Sequence, residues 1–207
     1  MGQTARAVTP PAVAPLGPRT LSGRFVALEP VEERHHAALT AAASDAELFR
    51  YVPPAGDASD FERWVGHVRD ASQKGTRLAY AIRRLADGAI VGSSSYLDIL
   101  EADARVEIGS TWYTAEVQGT AVNPEAKLLL LQNAFSAGYN CVFLKTDSRN
   151  ARSRAAILKL GAKEDGILRG HMWNERGYFR DTVFFSILAA EWPQVKARLE
   201  TRLAAFG

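Results

Sequence analysis

The sequence predicts a single α/β domain built on one mixed sheet. Segments with strand periodicity and segments with helical periodicity follow one another in the order βααβββαβαββα. Two helices connect successive strands after an antiparallel run of three strands, so a mixed sheet with helices on both faces is expected. No segment repeats, and 207 residues suit one domain with a substantial core.

The first 20 residues are predicted to be an extended or disordered lead-in. They contain four of the nine prolines and no periodic apolar pattern. Order is expected to begin with a strand over Arg24–Glu29, which alternates and stops at Pro30. We therefore predict a single domain over residues 21–207.

Helices are predicted next, in the stretch between the first and second strands. Glu32–Ala43 is rich in alanine and free of glycine and proline. The pairs Ser44-x-x-Glu47 and Ser59-x-x-Glu62 have the capping-box form, and apolar residues from Phe61 to Val68 then recur at helical spacing. The intervening Pro53–Gly56 is predicted to be a loop.

The second half of the chain alternates strands and helices. Asp87-Gly88 is typical of a hairpin between the second and third strands. Strands are predicted over residues 78–85, 89–98, 105–113, 142–146, 164–171 and 178–188. Helices are predicted over 124–137, over 150–160, and from Trp192 onward, and a glycine closes each of the first two.

The composition excludes several classes of protein. A formal net charge of +2 demands neither a nucleic-acid partner nor an anionic membrane, although it suits a polyanionic small ligand. No apolar run approaches the roughly 20 residues that span a bilayer. The single cysteine, Cys141, opens an apolar run and is interpreted as a small buried hydrophobe. The N-terminus lacks secretory and myristoylation patterns, so a cytoplasmic protein is predicted.

The turn Gln118–Asn123 joins the fourth strand to a leucine-rich helix. Asn123 suits an N-cap and Pro124 the first helical position, while Gly119 permits backbone geometry closed to other residues. A helix N-terminus with small residues before it suits a phosphate or pyrophosphate. A well-capped helix without a ligand explains the same residues, and the composition of the turn leaves both interpretations open.

Further motifs accompany this turn. Gln118–Asn123 resembles the acetyl-CoA signature of the GNAT acetyltransferases, written Gln/Arg-x-x-Gly-x-Gly/Ala, and Glu125-Ala126 follows as in the RimJ/RimL-type branch. Asn150-x-x-Ser153, before Lys159-Leu160-Gly161, resembles the second cofactor motif of the family. Glu164-x-Gly166 and Arg180-Asp181 match its closing hairpin. The resemblance covers residues 24–193 and identifies the chain as a GNAT N-acetyltransferase of the RimJ/RimL type.

The resemblance implies the GNAT fold, with a mostly antiparallel sheet of six to seven strands. It implies acetyl-CoA as the cofactor and a primary amine as the acceptor, on a protein N-terminus or a small molecule. A homodimer would follow from pairing through sheet edges or terminal elements. The phosphates would lie against Gln118, Gly119, Thr120, Ala121, Val122 and Asn123. Ala121 and Asn123 depart from the signature, which puts cofactor affinity in doubt unless the backbone at 121 has negative φ.

Glu107 is the candidate general base. The resemblance supports it, since a glutamate on this strand commonly acts through a bound water. Glu107 and Tyr113 are six residues apart, and this even spacing places them on one face if no bulge intervenes. The alternative is a surface or salt-bridged strand glutamate without a catalytic role.

Three further roles follow from the resemblance. Backbone N–H groups around Trp112 and Tyr113 would bind the oxyanion and the pantetheine arm, although either side chain could equally belong to the core. The tyrosine that protonates the leaving thiolate in many relatives is replaced by Ile157, so Ser153 is the substitute donor. Asn150 and Ser153 could both instead serve only to cap a helix, and Asn150 could do both.

The remaining polar candidates lie toward the expected acceptor side. His171, on the last hairpin, is a substrate-side candidate, and no histidines have metal-ligand spacing, so no metal is predicted. Arg169 and Arg180 could bind an acidic substrate group. The plainer alternative pairs them with Asp181 or Glu164.

Three functions remain open from the sequence. The first is acetylation of an α-amino group, and the second is detoxification of an amine antibiotic or metabolite. The third is a non-catalytic CoA sensor, which the altered signature and the missing tyrosine would suit. Neither the P-loop pattern nor the Rossmann glycine pattern occurs, so nucleotide binding of those kinds is disfavoured.

Overall fold

The computed structural model describes residues 12–51, 58–174 and 177–206. They form one eight-stranded sheet in the order β1-β2-β3-β4-β5-β6-β8-β7, in which only β5 and β6 pair in parallel. The strands are β1 Leu21–Ser22, β2 Val26–Pro30, β3 Leu78–Arg84, β4 Ile90–Leu100, β5 Arg105–Tyr113, β6 Cys141–Asp147, β7 Lys163–Asn174 and β8 Tyr178–Leu188. The mixed, mostly antiparallel sheet is confirmed. It has one strand more than predicted because the short β1 pairs with β2.

Helices cover both faces of the sheet, as predicted. The helices are α1 His36–Ala42, α2 Ala58–Gln73, α3 Val122–Ser136, α4 Ala151–Leu160 and α5 Trp192–Ala204. The larger core packs α3 and α5 against one face, where Tyr80 and Ile82 of β3 are fully buried. The smaller core packs α1 and α2 against the other face, around Ala81 and Trp112. Alternation along each strand thus divides its side chains between two cores.

The predicted helix starts near the N-terminus need correction. The stretch predicted over Glu32–Ala43 is a 3-10 turn followed by α1. The next helix is also a 3-10 turn, and Asp45 rather than Ser44 caps it, because the Asp45 carboxylate accepts from the Glu47 N–H at 2.9 Å. Ser59 lies inside α2 rather than at its cap. The loop predicted at Pro53–Gly56 lies outside the described residues.

Helix α3 begins two residues before the predicted Pro124. Its N-cap is Ala121, so the prediction of Asn123 as N-cap is wrong, and Asn123 and Pro124 occupy the second and third helical positions. Proline is tolerated there because the first turn of a helix has no intrahelical acceptors for its N–H groups.

Glu125 ties α3 to the start of the sheet. Its carboxylate accepts from three consecutive backbone N–H groups, those of Arg24 (2.8 Å), Phe25 (2.6 Å) and Val26 (2.7 Å). A Cβ at Gly23 would overlap this carboxylate, so the turn into β2 requires glycine there. Glu125, from the Glu-Ala pair that carried part of the resemblance, therefore has a structural role: it joins α3 to the residues that lead into β2.

The described part of the lead-in packs on the domain. Residues 12–20 contain no helix or strand, yet the Ala14 N–H donates to the Ala137 carbonyl at 2.8 Å. Val13 and Leu16 pack against the larger core. Within the described ranges, no helix combines the length and apolarity needed to cross a bilayer.

Candidate active site

A cleft opens where β5 and β6 separate. The two strands pair only where residues 105–107 face residues 141–143, and beyond this point they diverge. Both strands line the resulting cavity of about 470 Å³, together with the N-terminal ends of α3 and α4. Its volume suits a small ligand or a cofactor arm.

A β-bulge in β5 shapes one wall of this cleft. Ser93 pairs with Trp112 and Ser95 with Gly109, so β5 carries one extra residue, and Ser110 there has φ +46°. The extra residue reverses the alternation beyond it. Val106 and Ile108 face the larger core, as does Tyr113, whereas Trp112 faces the smaller one.

The predicted shared face of Glu107 and Tyr113 is therefore wrong. Glu107 lies between two residues of the larger core and points to the opposite face, while Tyr113 points toward α3. The prediction held only if no bulge intervened, and the bulge is present. The Trp112 ring packs edge-on against Phe49 and Phe61, so its side chain is a core aromatic.

The backbone of Tyr113 faces the gap between the strands. The Thr114 N–H donates to the Val91 carbonyl at 2.9 Å on the β4 side. Because backbone groups of successive strand residues alternate between the two sides, the N–H and C=O of Tyr113 point toward the cleft. The Gln118 side-chain amide donates to this carbonyl at 3.3 Å, which agrees with that direction. Tyr113 thus offers a backbone donor at the predicted position.

The turn before α3 holds several backbone donors without acceptors. The N–H groups of Gly119, Ala121 and Asn123 donate to no acceptor within the part of the chain that the structure describes. Gly119 has φ +82° and open space where a Cβ would stand. Such a cradle at a helix N-terminus fits a pyrophosphate. The residues present therefore fit the phosphate end of acetyl-CoA.

The departures from the signature cost little here. Ala121 has φ −66°, which any L-residue adopts. Its side chain and that of Val122 are buried in the core, so only their backbones face the turn. Asn123 lines the cleft. The backbone at residue 121 therefore has the negative φ under which alanine is tolerated.

Side chains of the turn fix its shape. The Thr120 hydroxyl donates to the Val117 carbonyl at 2.7 Å, and the side-chain carbonyl oxygen of Gln118 accepts from Arg152 at 2.7 Å. Arg152, in the first turn of α4, adds a cation beside the turn. Sequence reasoning missed Arg152, although its place two residues after Asn150 at a helix N-terminus was the available signal.

Glu107 is a buried carboxylate in the cleft wall. It is 2% exposed, and its nearest cation is the Lys145 ammonium at 2.7 Å. Burial raises the pKa of Glu107, an effect that Lys145 partly opposes. Burial alone would lower the pKa of Lys145, but its contacts with Glu107 and Asp98 outweigh burial and raise it. The ion pair that the plainer interpretation expected is present, and it borders the cleft.

Asn150 caps α4 as predicted. Its side-chain oxygen Oδ1 accepts a hydrogen bond from the Ser153 backbone N–H at 3.0 Å, and Gly161 ends the helix with φ +104°. The Ser153 hydroxyl makes no hydrogen bond to a described residue, and Ser153 lines the cleft. Ile157 lies one turn further along in the same wall. The Ser153 hydroxyl is therefore available to a ligand, and its role as proton donor stays a prediction.

Lys127 is a buried ionisable group that sequence reasoning missed. Its ammonium nitrogen contacts the hydroxyls of Thr111 (2.6 Å) and Ser94 (3.2 Å) beneath the bulge. Burial lowers the pKa of Lys127 to about 7, and the charge of Glu107 opposes this shift. A lysine next to Leu128–Leu131, in a helix predicted to be buried on most sides, was the signal available in the sequence.

Of the polar candidates on the last hairpin, Arg180 lines the cleft, whereas His171 is not among the residues of its wall. Both contact the Thr182 hydroxyl, His171 Nδ1 at 3.1 Å and Arg180 Nε at 2.9 Å. The predicted structural pairing of Arg180 with Asp181 or Glu164 is wrong. The Asp181 carboxylate accepts from the Gly170 N–H at 2.7 Å, and Arg154 pairs with Glu164 at 3.2 Å.

The comparisons with known proteins agree with this architecture. The sequence matches the model of the family "Acetyltransferase (GNAT) domain" over residues 26–163. The structure superposes on a GCN5-related N-acetyltransferase from Brucella melitensis with a TM-score of 0.86 and 30% identity, covering 96% of this chain and 90% of that one. The chain belongs to the GNAT acetyltransferase family. No protein with a curated description matches it significantly.

Two more solved structures are similar to the chain. A protein from T. thermophilus that is thought to be an acetyltransferase shares 36% identity, with a TM-score of 0.80 over 90% of this chain and 98% of that one. RimJ of Mycobacterium smegmatis, solved with CoA-disulfide, shares 24% identity, with a TM-score of 0.74 over 89% of this chain and 91% of that one. At that identity the likeness to RimJ shows the fold alone. The prediction of acetyl-CoA as cofactor is confirmed at the level of the family. Across the described residues, no cluster of three or more candidate ligands could hold a metal ion.

Proposed function

We propose that this protein is an acetyl-CoA-dependent N-acetyltransferase that acts on a primary amine, the α-amino group of a protein N-terminus or of a small molecule. One observation carries the proposal. A turn with unpaired N–H groups at residues 119, 121 and 123 borders, through Gly119 and Asn123, the same cleft as the buried carboxylate of Glu107. A phosphate site and a candidate base are thereby joined by one continuous space.

The cradle and the strand edge would hold the donor in place. Acetyl-CoA supplies an activated thioester when it is bound. The N–H groups of Gly119, Ala121 and Asn123 would bind its pyrophosphate, and Arg152 would add positive charge. The Tyr113 N–H would donate to the arm or to the oxyanion that develops at the thioester carbonyl.

Two side chains would move protons. Glu107 would accept a proton from the acceptor amine, directly or through a water, and its raised pKa brings it closer to that of the amine. Ser153, with its free hydroxyl in the cleft wall, would donate to the departing sulfur in place of the tyrosine that Ile157 replaces.

Calorimetry with purified protein and acetyl-CoA tests the proposal first, followed by mass spectrometry of an amine panel incubated with both. We expect saturable binding and a mass increase of one acetyl group on an acceptor. Absence of acetyl-CoA binding would overturn the proposal. Binding without turnover on peptide N-termini and small amines would instead indicate a CoA sensor. If the panel includes amine antibiotics, their selective acetylation would indicate the detoxifying function rather than acetylation of peptide N-termini.

Two further predictions accompany this function. A cytoplasmic location is proposed from the absence of targeting patterns in the sequence. A homodimer is proposed from the family resemblance, and sedimentation analysis at several protein concentrations tests it. A concentration-independent mass of one chain would exclude the dimer.

A further inference from the structure

Arg180 is a cation of the cleft wall without a carboxylate partner. Lys145 in the same wall is paired with Glu107 and Asp98, whereas Arg152 beside the turn before α3 and Arg202 of α5 also lack an ion pair among the described residues. Within the described ranges, no carboxylate lies at ion-pair distance from Arg180. Its Nε donates to the Thr182 hydroxyl at 2.9 Å, and its two terminal amino groups have no partner there.

Arg180 lies on the last hairpin, on the side of the cleft where the acceptor is expected. It lies on β8 opposite Met172 of β7, and both side chains line the cleft that also contains Glu107. Thr182, which orients the guanidinium, is fully buried and also contacts His171. Arg180 is therefore held in a defined orientation in the wall.

The local electrostatics favour an anion at this place. Partial burial lowers the pKa of Arg180, and the group remains a cation because a guanidinium loses its proton only far above neutral pH. Burial also lowers the pKa of His171, and the positive charges of Lys145 and Arg180 lower it further, which favours a neutral imidazole. The charges of Asp147 and Glu107 oppose the lowering of the Arg180 pKa from beyond ion-pair distance, and an anionic ligand would supply the direct counter-ion that this half-buried guanidinium lacks among the described residues.

We propose that the acceptor is a small amine that carries a carboxylate, and that Arg180 binds this carboxylate while the amine faces the thioester. This inference rests on the proposed function. The planar guanidinium presents parallel N–H donors that match the two oxygens of a carboxylate. A phosphate would call for a second unpaired cation beside Arg180, and Lys145, whose charge acts on His171 together with that of Arg180, is already paired with two carboxylates.

The reaction balances without another reactant. The acceptor nitrogen forms a bond to the acetyl carbon while the bond from that carbon to sulfur breaks. The nitrogen gives up one proton and the departing sulfur takes one up. Arg180 takes no part in these transfers, so it acts as a specificity-determining residue.

The test compares amino acids with their carboxamides, which keep the amine and lack the charge. Acetylation rates with acetyl-CoA are measured on α-, β- and γ-amino acids and the matching amides, and on peptides with and without an N-terminal aspartate. We expect kcat/KM for at least one free acid to exceed that of its amide by about 10- to 100-fold, the ratio that a charge-assisted hydrogen bond supplies. R180Q should reduce this ratio to near one while turnover of the amide is retained, and R180K should give an intermediate ratio.

Arg198→Gln is the matched control, since it removes the same charge from an exposed position on α5 that does not line the cleft. It should leave the ratio unchanged, and thermal unfolding should confirm that all three variants fold. Equal rates for acids and amides in the unsubstituted protein, or acetylation of uncharged peptides or amines alone, would overturn the inference and leave the proposed function standing. Selective acetylation of aspartyl peptides would place the carboxylate on a peptide and overturn the small-molecule assignment. Absence of acetyl-CoA binding would overturn the proposed function itself.

Discussion

Two buried glutamates, Glu125 and Glu107, occupy contrasting environments. Glu125 is 4% exposed and accepts from three backbone N–H groups, whereas Glu107 is 2% exposed and contacts one ammonium group beside an open cleft. The donors around Glu125 come from rigid backbone and occupy both of its oxygens. The donor partner of Glu107 is a flexible lysine side chain.

This difference distinguishes a carboxylate that joins two elements of the fold from the one that we propose as the general base. A carboxylate that is saturated by backbone donors has no free lone pair facing a substrate, and it joins two elements of the fold. A carboxylate that is buried with a single mobile partner has a raised pKa and borders a cavity, which are features of a general base. Residue type and burial alone would not distinguish the two.

The sharpest test of the contrast is Glu107→Gln. The amide keeps the shape and removes the base, so we expect kcat to fall by about 100- to 10,000-fold. Acetyl-CoA affinity by calorimetry should stay within a factor of about three, since the phosphate cradle is untouched. Glu101→Gln, at an exposed position, is the control and should retain full activity. Normal turnover in the Glu107 variant would show that Glu107, like Glu125, has no role as a base.

The reciprocal change is Glu125→Ala. It leaves the N–H groups of residues 24–26 without their acceptor, so we expect the free energy of unfolding to decrease by about 3 kcal/mol or more. Urea titration measures this decrease. The free energy of unfolding of Glu125→Gln should lie between those of the unsubstituted protein and Glu125→Ala, because glutamine retains one acceptor oxygen. Below the unfolding transition, kcat per folded molecule should be nearly unchanged. A large loss of kcat in the folded variant would contradict a purely structural role.

Lys127 extends the comparison to a third buried ionisable group. Its folded-state pKa of about 7 lies below the ordinary value, so between pH 7 and 10 the unfolded chain binds a proton that the folded chain lacks. Its contribution should therefore raise the free energy of unfolding with pH, by about 1 kcal/mol per pH unit. Urea titrations at several pH values test this against Lys127→Met. Parallel pH curves for the two proteins would show that Lys127 is charged in the folded state.

The smallest expected effect is that of Gly119→Ala in the phosphate turn. At φ +82° an alanine is strained by about 1 kcal/mol, so acetyl-CoA binding should weaken by about fivefold. Gly66→Ala, in the interior of α2 with open space around it, should instead stabilise the fold by about 0.5 kcal/mol. Equal acetyl-CoA affinity in both variants would show that the turn accommodates alanine at residue 119 without weakening cofactor binding.

Local signals predicted much of this molecule. The strand boundaries of β5, the hairpin at Asp87-Gly88 and the Asn150 cap of α4 all depend on neighbours in sequence, and they were predicted correctly. The turn that we propose to bind phosphate was singled out through its resemblance to a family motif, and the helix after it begins at Val122, without the predicted cap at Asn123.

Long-range pairing set the features that the sequence did not reveal. The positive-φ residue of the bulge is Ser110 rather than the neighbouring Gly109, and the bulge depends on the register between β4 and β5. The roles of Glu125 and Lys127 depend on donors and acceptors that lie 16 or more positions away in the sequence. No periodicity within one element reports such contacts.

The pH dependence of kcat/KM, measured for the unsubstituted protein and for E107Q, tests the central claim most directly. Because burial raises the pKa of Glu107 and the base must be ionised, activity should fall about tenfold per pH unit below that pKa and rise to a plateau above it. The residual activity of E107Q should lack this acidic limb. An acidic limb that persists unchanged in E107Q would contradict the assignment of Glu107 as the base.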